Sequence, residues 1–122
     1  AKACQETSNK QTRLLAVTIL TALSDHDLKE IGYKEDGTEQ RVKALALLTK
    51  ESGLDGVVCS SHEIEPLRTV CGDDFALMVP GIMTPDQAMQ RGATHLVIGR
   101  PITQADDPAK AAQDILNTLD IA

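Results

Sequence analysis

The apolar run His95-Leu96-Val97-Ile98 breaks on Gly99 and Arg100, which places a guanidinium where a buried strand should end. Arginine offers a planar fork of donors that clamps an oxyanion through two parallel bonds, and glycine lets the backbone approach a ligand closely. A second run, Phe75 to Val79, ends on Pro80-Gly81-Ile82. If the two runs are neighbouring strands, their ends together make a site suited to phosphate. The same letters also describe a rim salt bridge and chain-turning glycines, and spacing alone leaves both readings open.

Other candidates are weighed the same way. Thr18 and Thr21 put two hydroxyls near the end of the run LLAVTIL, where they can bind a ligand, cap a helix or fill an inward layer. Cys59-Ser60-Ser61-His62 gathers a thiol, hydroxyls and an imidazole, but no acidic group orients the histidine, and a buried thiol before a helix cap explains it better than a nucleophile does. Asp25-His26-Asp27 follows Ser24, and Ser-x-x-Asp reads as a helix cap with acids in the first turn rather than as acid/base machinery. His26, His62 and His95 are too scattered to specify a metal site, and none is expected.

These residues need elements to hold them. The runs 14–20, 53–60, 75–82 and 94–102 are nearly continuous in Val, Ile and Leu, as strands covered on both faces are. Between them the spacing predicts helices. Over 38–51, Val42, Leu45, Ala46 and Leu48 form one stripe. A helix over 62–71 follows Ser61 as cap. Thr84-Pro85 starts another that Gly92 stops. Asp107-Pro108 opens the last, to about Leu119, with Ala111, Ile115, Leu116 and Leu119 inward. Alternating strand and helix predicts an α/β fold with parallel strands and right-handed crossovers. The compact repeats favour a (β/α)8 TIM-barrel, with an open doubly wound sheet as the alternative. A barrel needs eight strands and about 250 residues, so four βα units are about half of one. The other half is expected either outside these residues or from a second chain.

Composition narrows the partners. A net charge of −6 argues against a nucleic-acid groove or an anionic membrane surface. With only Phe75 and Tyr33 aromatic, there is no stacking platform for bases. Three cysteines at spacings that match neither zinc nor redox pairs favour reduced thiols, hence a cytoplasmic setting. No apolar run approaches the roughly 20 residues of a membrane span, and residues 1–13 are too polar for a signal peptide.

Taken together, LLAVTILTALSDHDLKEIG, GLDGVVCSSHE, FALMVPGI and MTPDQAMQRGATHLVIGRPIT resemble, in this order and over essentially the whole chain, the carboxyl-terminal half of bacterial orotidine 5′-phosphate decarboxylases. The resemblance implies a homodimeric, cytoplasmic barrel that converts orotidine monophosphate to uridine monophosphate and CO2 in pyrimidine biosynthesis, without metal or organic cofactor. It implies that Gly99 and Arg100 bind the substrate phosphate, that Thr21 contacts the pyrimidine end, and that Pro80 forms the pyrimidine-side wall. Catalysis would be electrostatic, through a Lys/Asp array that destabilises the substrate carboxylate and protonates the carbanion at C6, with phosphate binding energy driving loop closure.

Two departures qualify the resemblance. The signature Asp-x-Lys-x-x-Asp is absent: Asp27-Leu28-Lys29 imitates its start, but position 32 is Gly32 and the segment reads as a helix start. No catalytic residue is therefore assigned to the chain. Relatives also carry a gripping loop of about a dozen residues, with another arginine and a glutamine, between the motifs that here meet at Ile82-Met83. The expectation is a loop missing at that junction, in a chain that forms the carboxyl-terminal half of one barrel domain over residues 1–122. The alternatives are a non-catalytic half-barrel that binds phosphate ligands, or another phosphate-handling barrel enzyme.

Overall fold

A computed structural model describes Glu6 and residues 11–20, 22–33, 37–81 and 84–119. Thr21, Cys4 and the Ile82-Met83 junction lie outside the described residues. The strands β1 (Leu15–Val17), β2 (Gly56–Val58), β3 (Ala76–Pro80) and β4 (His95–Val97) form one sheet in the order β1-β2-β3-β4, with every pairing parallel. That order separates the two fold expectations. A doubly wound sheet reverses its strand order at a switch point, whereas sequential parallel neighbours are the arc of a barrel.

Helices supply the crossovers. After β1 come α1 (Asp25–Glu30) and α2 (Gly37–Glu51), and after β2 comes α3 (Ile64–Cys71). After β3 comes α4 (Pro85–Gln90), and β4 leads into α5 (Arg100–Thr103) and α6 (Pro108–Thr118). Local signals account for most boundaries. Ser24 and Asp27 form a reciprocal capping box at α1. The Asp107 carboxylate accepts the Lys110 N–H at 3.0 Å to cap α6, and Pro85 and Pro108 stand in the first turns of their helices.

The register sorts each strand into two faces. Ala16, Val57 and Leu77 are level on one face, joined by Val79 and Leu96 further along. This face meets the helices: Val57, Leu77 and Val79 are fully buried with Val42, Ile64 and Leu67. The other face carries Val17, Val58, Met78 and His95 in one row and Pro80 and Val97 in the next. It is open to solvent in places, with Val17 58% and Val97 47% exposed.

Three expectations are corrected. Leu48 is 59% exposed and Thr49 is buried in its place, because the stripe facing the sheet runs through Val42, Ala46 and Thr49. Leu116 is 51% exposed, leaving Ala111 and Ile115 half-buried on the inner side of α6. Ser61 does not cap α3: the helix begins at Ile64, and the turn before it is closed by Ser60 and Glu63.

The opposite ends of β3 and β4 are stitched by Arg68, whose role sequence spacing did not reveal. Its guanidinium donates to the carbonyls of Gly72 at 2.7 Å, Phe75 at 2.6 Å and Gly92 at 2.6 Å. Gly92 has φ +105°, and a Cβ there would meet Arg68 Nε at 3.0 Å, so both conformation and space demand glycine.

Candidate functional site

Pro80 is the register partner of Val97, so the carboxyl ends of β3 and β4 lie side by side. Just beyond, the chain turns at Gly99 into α5. The Gly99 carbonyl accepts the N–H groups of Ile102 at 2.9 Å and Thr103 at 3.0 Å and the Thr103 hydroxyl at 3.3 Å. These bonds fix Arg100 at the first position of the short helix.

A cavity of about 730 Å³ opens here. Its walls are Pro80 and Gly81 from β3, Pro85 from α4, Val97 to Arg100 from β4 and its turn, and Pro101 and Ile115 beyond. The volume falls in the range of small-molecule sites, and one cation in an otherwise apolar wall is the pattern such sites use to orient an anion. A Cβ added at Gly81 or Gly99 would meet nothing within 4 Å, so the space over both is free. Among the described residues no hydrogen bond or ion pair engages the Arg100 guanidinium, which weakens the salt-bridge reading of its place.

The structure thus brings together Pro80, Gly99 and Arg100. Thr21 is outside the described residues, and Thr18 is committed elsewhere, its hydroxyl donating to the Val58 carbonyl at 3.3 Å. Cys59 is fully buried against the helices, and that burial pushes its thiol up to about 12, with the Glu63 charge adding to the effect. A thiol held protonated and away from solvent is no nucleophile. Asp25 and Asp27 are structural: hydrogen bonds from Thr38 hold the Asp25 carboxyl below its ordinary range, and hydrogen bonds from Ser24 do the same for Asp27. His26, Asp27 and Glu30 offer ligand atoms within 4.8 Å of one another on α1, but the Asp27 carboxylate already serves the cap.

Sequence reasoning missed Pro85 and Ile115 as cavity walls. Each was legible only as a helix residue, because the approach of α4 and α6 to the strand ends is a tertiary fact. Among the described residues no helix is long and apolar enough to cross a membrane.

The sequence model described as "Orotidine 5'-phosphate decarboxylase / HUMPS family" matches residues 1–115. The chain belongs to this family. The orotidine 5′-phosphate decarboxylase of Lactobacillus acidophilus is 41% identical, with a TM-score of 0.83 over 88% of this chain and 49% of that one. An uncharacterized conserved protein of Geobacillus kaustophilus is 35% identical, with a TM-score of 0.81 over the same shares, 88% and 49%. The orotidine 5′-phosphate decarboxylase of Pyrococcus horikoshii OT3, at 19% identity and a TM-score of 0.71 over 90% of this chain and 52% of that one, supports the fold alone. The chain spans about half the length of these solved relatives. Within the orotidine 5′-phosphate decarboxylase / HUMPS family, the four-stranded parallel arc is thus part of a TIM barrel, and its described strand ends are where a barrel carries its ligand sites.

Proposed function

We propose that residues 1–122 form the carboxyl-terminal half of an orotidine 5′-phosphate decarboxylase, a cytoplasmic, homodimeric barrel, and that this half carries the phosphate side of the active site. The observation that supports it is the convergence of Gly99, Arg100 and Pro80 on one cavity, with the guanidinium unpaired among the described residues. In this reading Arg100 clamps the 5′-phosphate bidentately. The open backbone at Gly99 lets the phosphate come close, and Pro80 and Val97 wall the side toward the pyrimidine. Thr21 contacts the pyrimidine itself, and a loop belongs at the Ile82-Met83 junction.

The chain's own residues then bind and orient rather than break the bond. Asp27-Leu28-Lys29 lies in and after a capping box, so the Lys/Asp array that strips CO2 from the substrate comes from other βα units. Phosphate binding serves catalysis from a distance, because energy gained at a non-reacting group can be spent on orientation at the reacting one. The test is calorimetric titration of the chain with uridine 5′-monophosphate, alongside a decarboxylation assay. Arg100→Ala should weaken nucleotide binding about 10- to 100-fold, as loss of a charged hydrogen-bonding pair does, and the chain alone should not turn over orotidine 5′-phosphate. Unaided turnover, or wild-type affinity in Arg100→Ala, would defeat the proposal.

A further inference from the structure

A second residue at the strand ends is positioned to choose what the phosphate is attached to, an inference that rests on the reading above. The ladder between β2 and β3 closes at the Val58–Met78 pair, where the Cys59 N–H donates to the Met78 carbonyl at 3.0 Å. Cys59 is fully buried on the helix side. Strand alternation therefore sends Ser60 to the opposite face, which carries Val58, Met78 and Pro80. Val58 is level with Met78 and Pro80 with Val97, and Ser60, two residues beyond Val58, follows on that face in the direction of Pro80. Pro80 and Val97 line the cavity whose cation is Arg100, and Ser60 stands at the neighbouring strand end.

Ser60 is half-buried and held in place. Its N–H donates to Glu63 Oε2 at 2.7 Å, and the Glu63 N–H donates back to the Ser60 carbonyl at 3.1 Å. The hydroxyls of Thr18 and Thr103 are committed to carbonyls. The Ser60 hydroxyl has no partner among the described residues. Two strand spacings of about 4.8 Å separate β4 from β2, a span comparable with that from phosphate to ring in a nucleoside monophosphate.

We infer that Ser60 is a specificity residue whose hydroxyl hydrogen-bonds the polar edge of a pyrimidine on a ligand anchored at Arg100, and that Glu63 is its positioning residue. A hydroxyl both donates and accepts, which suits an edge where N–H and C=O groups alternate. The experiment titrates the chain with uridine 5′-monophosphate and with ribose 5-phosphate. Ser60→Ala should lower affinity for the nucleotide about 3- to 10-fold and leave that for the sugar phosphate unchanged. Ser60→Thr should restore the preference. Glu63→Ala should follow Ser60→Ala, and Glu63→Gln, which keeps an acceptor for the Ser60 N–H, should stay near wild type. Partial unfolding of a variant lowers both affinities equally, so their ratio still reports the base contact. A wild-type ratio in Ser60→Ala, with both affinities weakened by Arg100→Ala, overturns this inference alone. Unchanged affinities in Arg100→Ala, or no binding of either ligand by the wild type, overturns the proposed function and this inference with it.

Discussion

Gly56→Ala is the sharpest perturbation the fold permits, because it adds one methyl group and changes nothing else. Gly56 has no positive φ, so alanine fits its backbone and the effect is steric. The new Cβ would lie 2.1 Å from the Ala76 carbonyl oxygen and 2.6 Å from Ala76 Cβ. Ordinary contact requires β2 and β3 to separate by about 1 Å from their usual spacing of about 4.8 Å. The flanking bonds at risk are Ala76 N–H to the Asp55 carbonyl at 2.9 Å and Cys59 N–H to the Met78 carbonyl at 3.0 Å. Overpacking costs about 1–3 kcal/mol, and each of the two weakened ladder bonds about 1 kcal/mol more, for a total of about 3–5 kcal/mol. Against a domain stability of about 5–15 kcal/mol, that should lower Tm by about 10–20 °C, read by circular dichroism with urea melts in parallel. Gly99→Ala is the matched control, since its Cβ meets nothing within 4 Å, and its stability should stay near wild type. Adding Ala76→Gly to Gly56→Ala removes the Cβ clash but not the carbonyl clash, so rescue should be partial. A loss below about 1 kcal/mol for Gly56→Ala would refute the argument that this close approach shapes the sheet.

Other outcomes follow from the same geometry. Arg68→Ala should cost about 3 kcal/mol by orphaning the carbonyls of Gly72, Phe75 and Gly92, measured by urea unfolding, while leaving ligand preference unchanged. Cys59 and Cys71 should resist iodoacetamide at pH 8 until denaturant is added, as peptide mapping would show, because both are buried and burial raises both thiols. The Asp25 and Asp27 carboxyls are lowered by hydrogen bonding in the fold, so their contribution is complete above the unfolded pKa of about 3.9 and is lost as pH falls toward the folded values. The stability gap between wild type and Asp25→Asn/Asp27→Asn should therefore be flat above about pH 5 and close below about pH 4, and a gap that widens in acid would contradict the sign. Gly99→Ala should weaken phosphate-ligand binding despite its normal stability, because the added methyl occupies open space at the cavity.

How much of this was legible in the sequence depended on whether the signal was local. Strand positions were, since parallel strands buried by helices announce themselves as unbroken Val/Ile/Leu runs. Helix starts marked by Ser24, Thr84-Pro85 and Asp107-Pro108 were legible too, because a cap is chemistry within one turn. The α3 start was misread for a related reason. Ser61 is a cap by type, but the helix starts at Ile64 with Glu63 before it, and the Glu63 side chain closes the preceding turn on the Ser60 N–H. Leu48 and Leu116 show the other limit. A helical stripe tells which residues share a face but not where the neighbours stop, so residues at the edge of the stripe can be left exposed.

The anion chemistry of Gly99 and Arg100 was visible because residue type and strand end coincide, yet type alone could not separate a ligand clamp from a rim ion pair. What separates them is long-range. An arginine pairs with whatever acid the fold brings near it, and here the fold brings Pro80, Val97, Pro85 and Ile115 instead. The acids close by in sequence, Asp106 and Asp107, follow the turn of α5, and Asp107 spends its carboxylate on the Lys110 N–H. An exposed cation that the rest of the described chain leaves unpaired beside an apolar cavity gains most from a ligand that carries its own charge. That is the physical reason for reading phosphate at this end of the sheet, and it is independent of family membership.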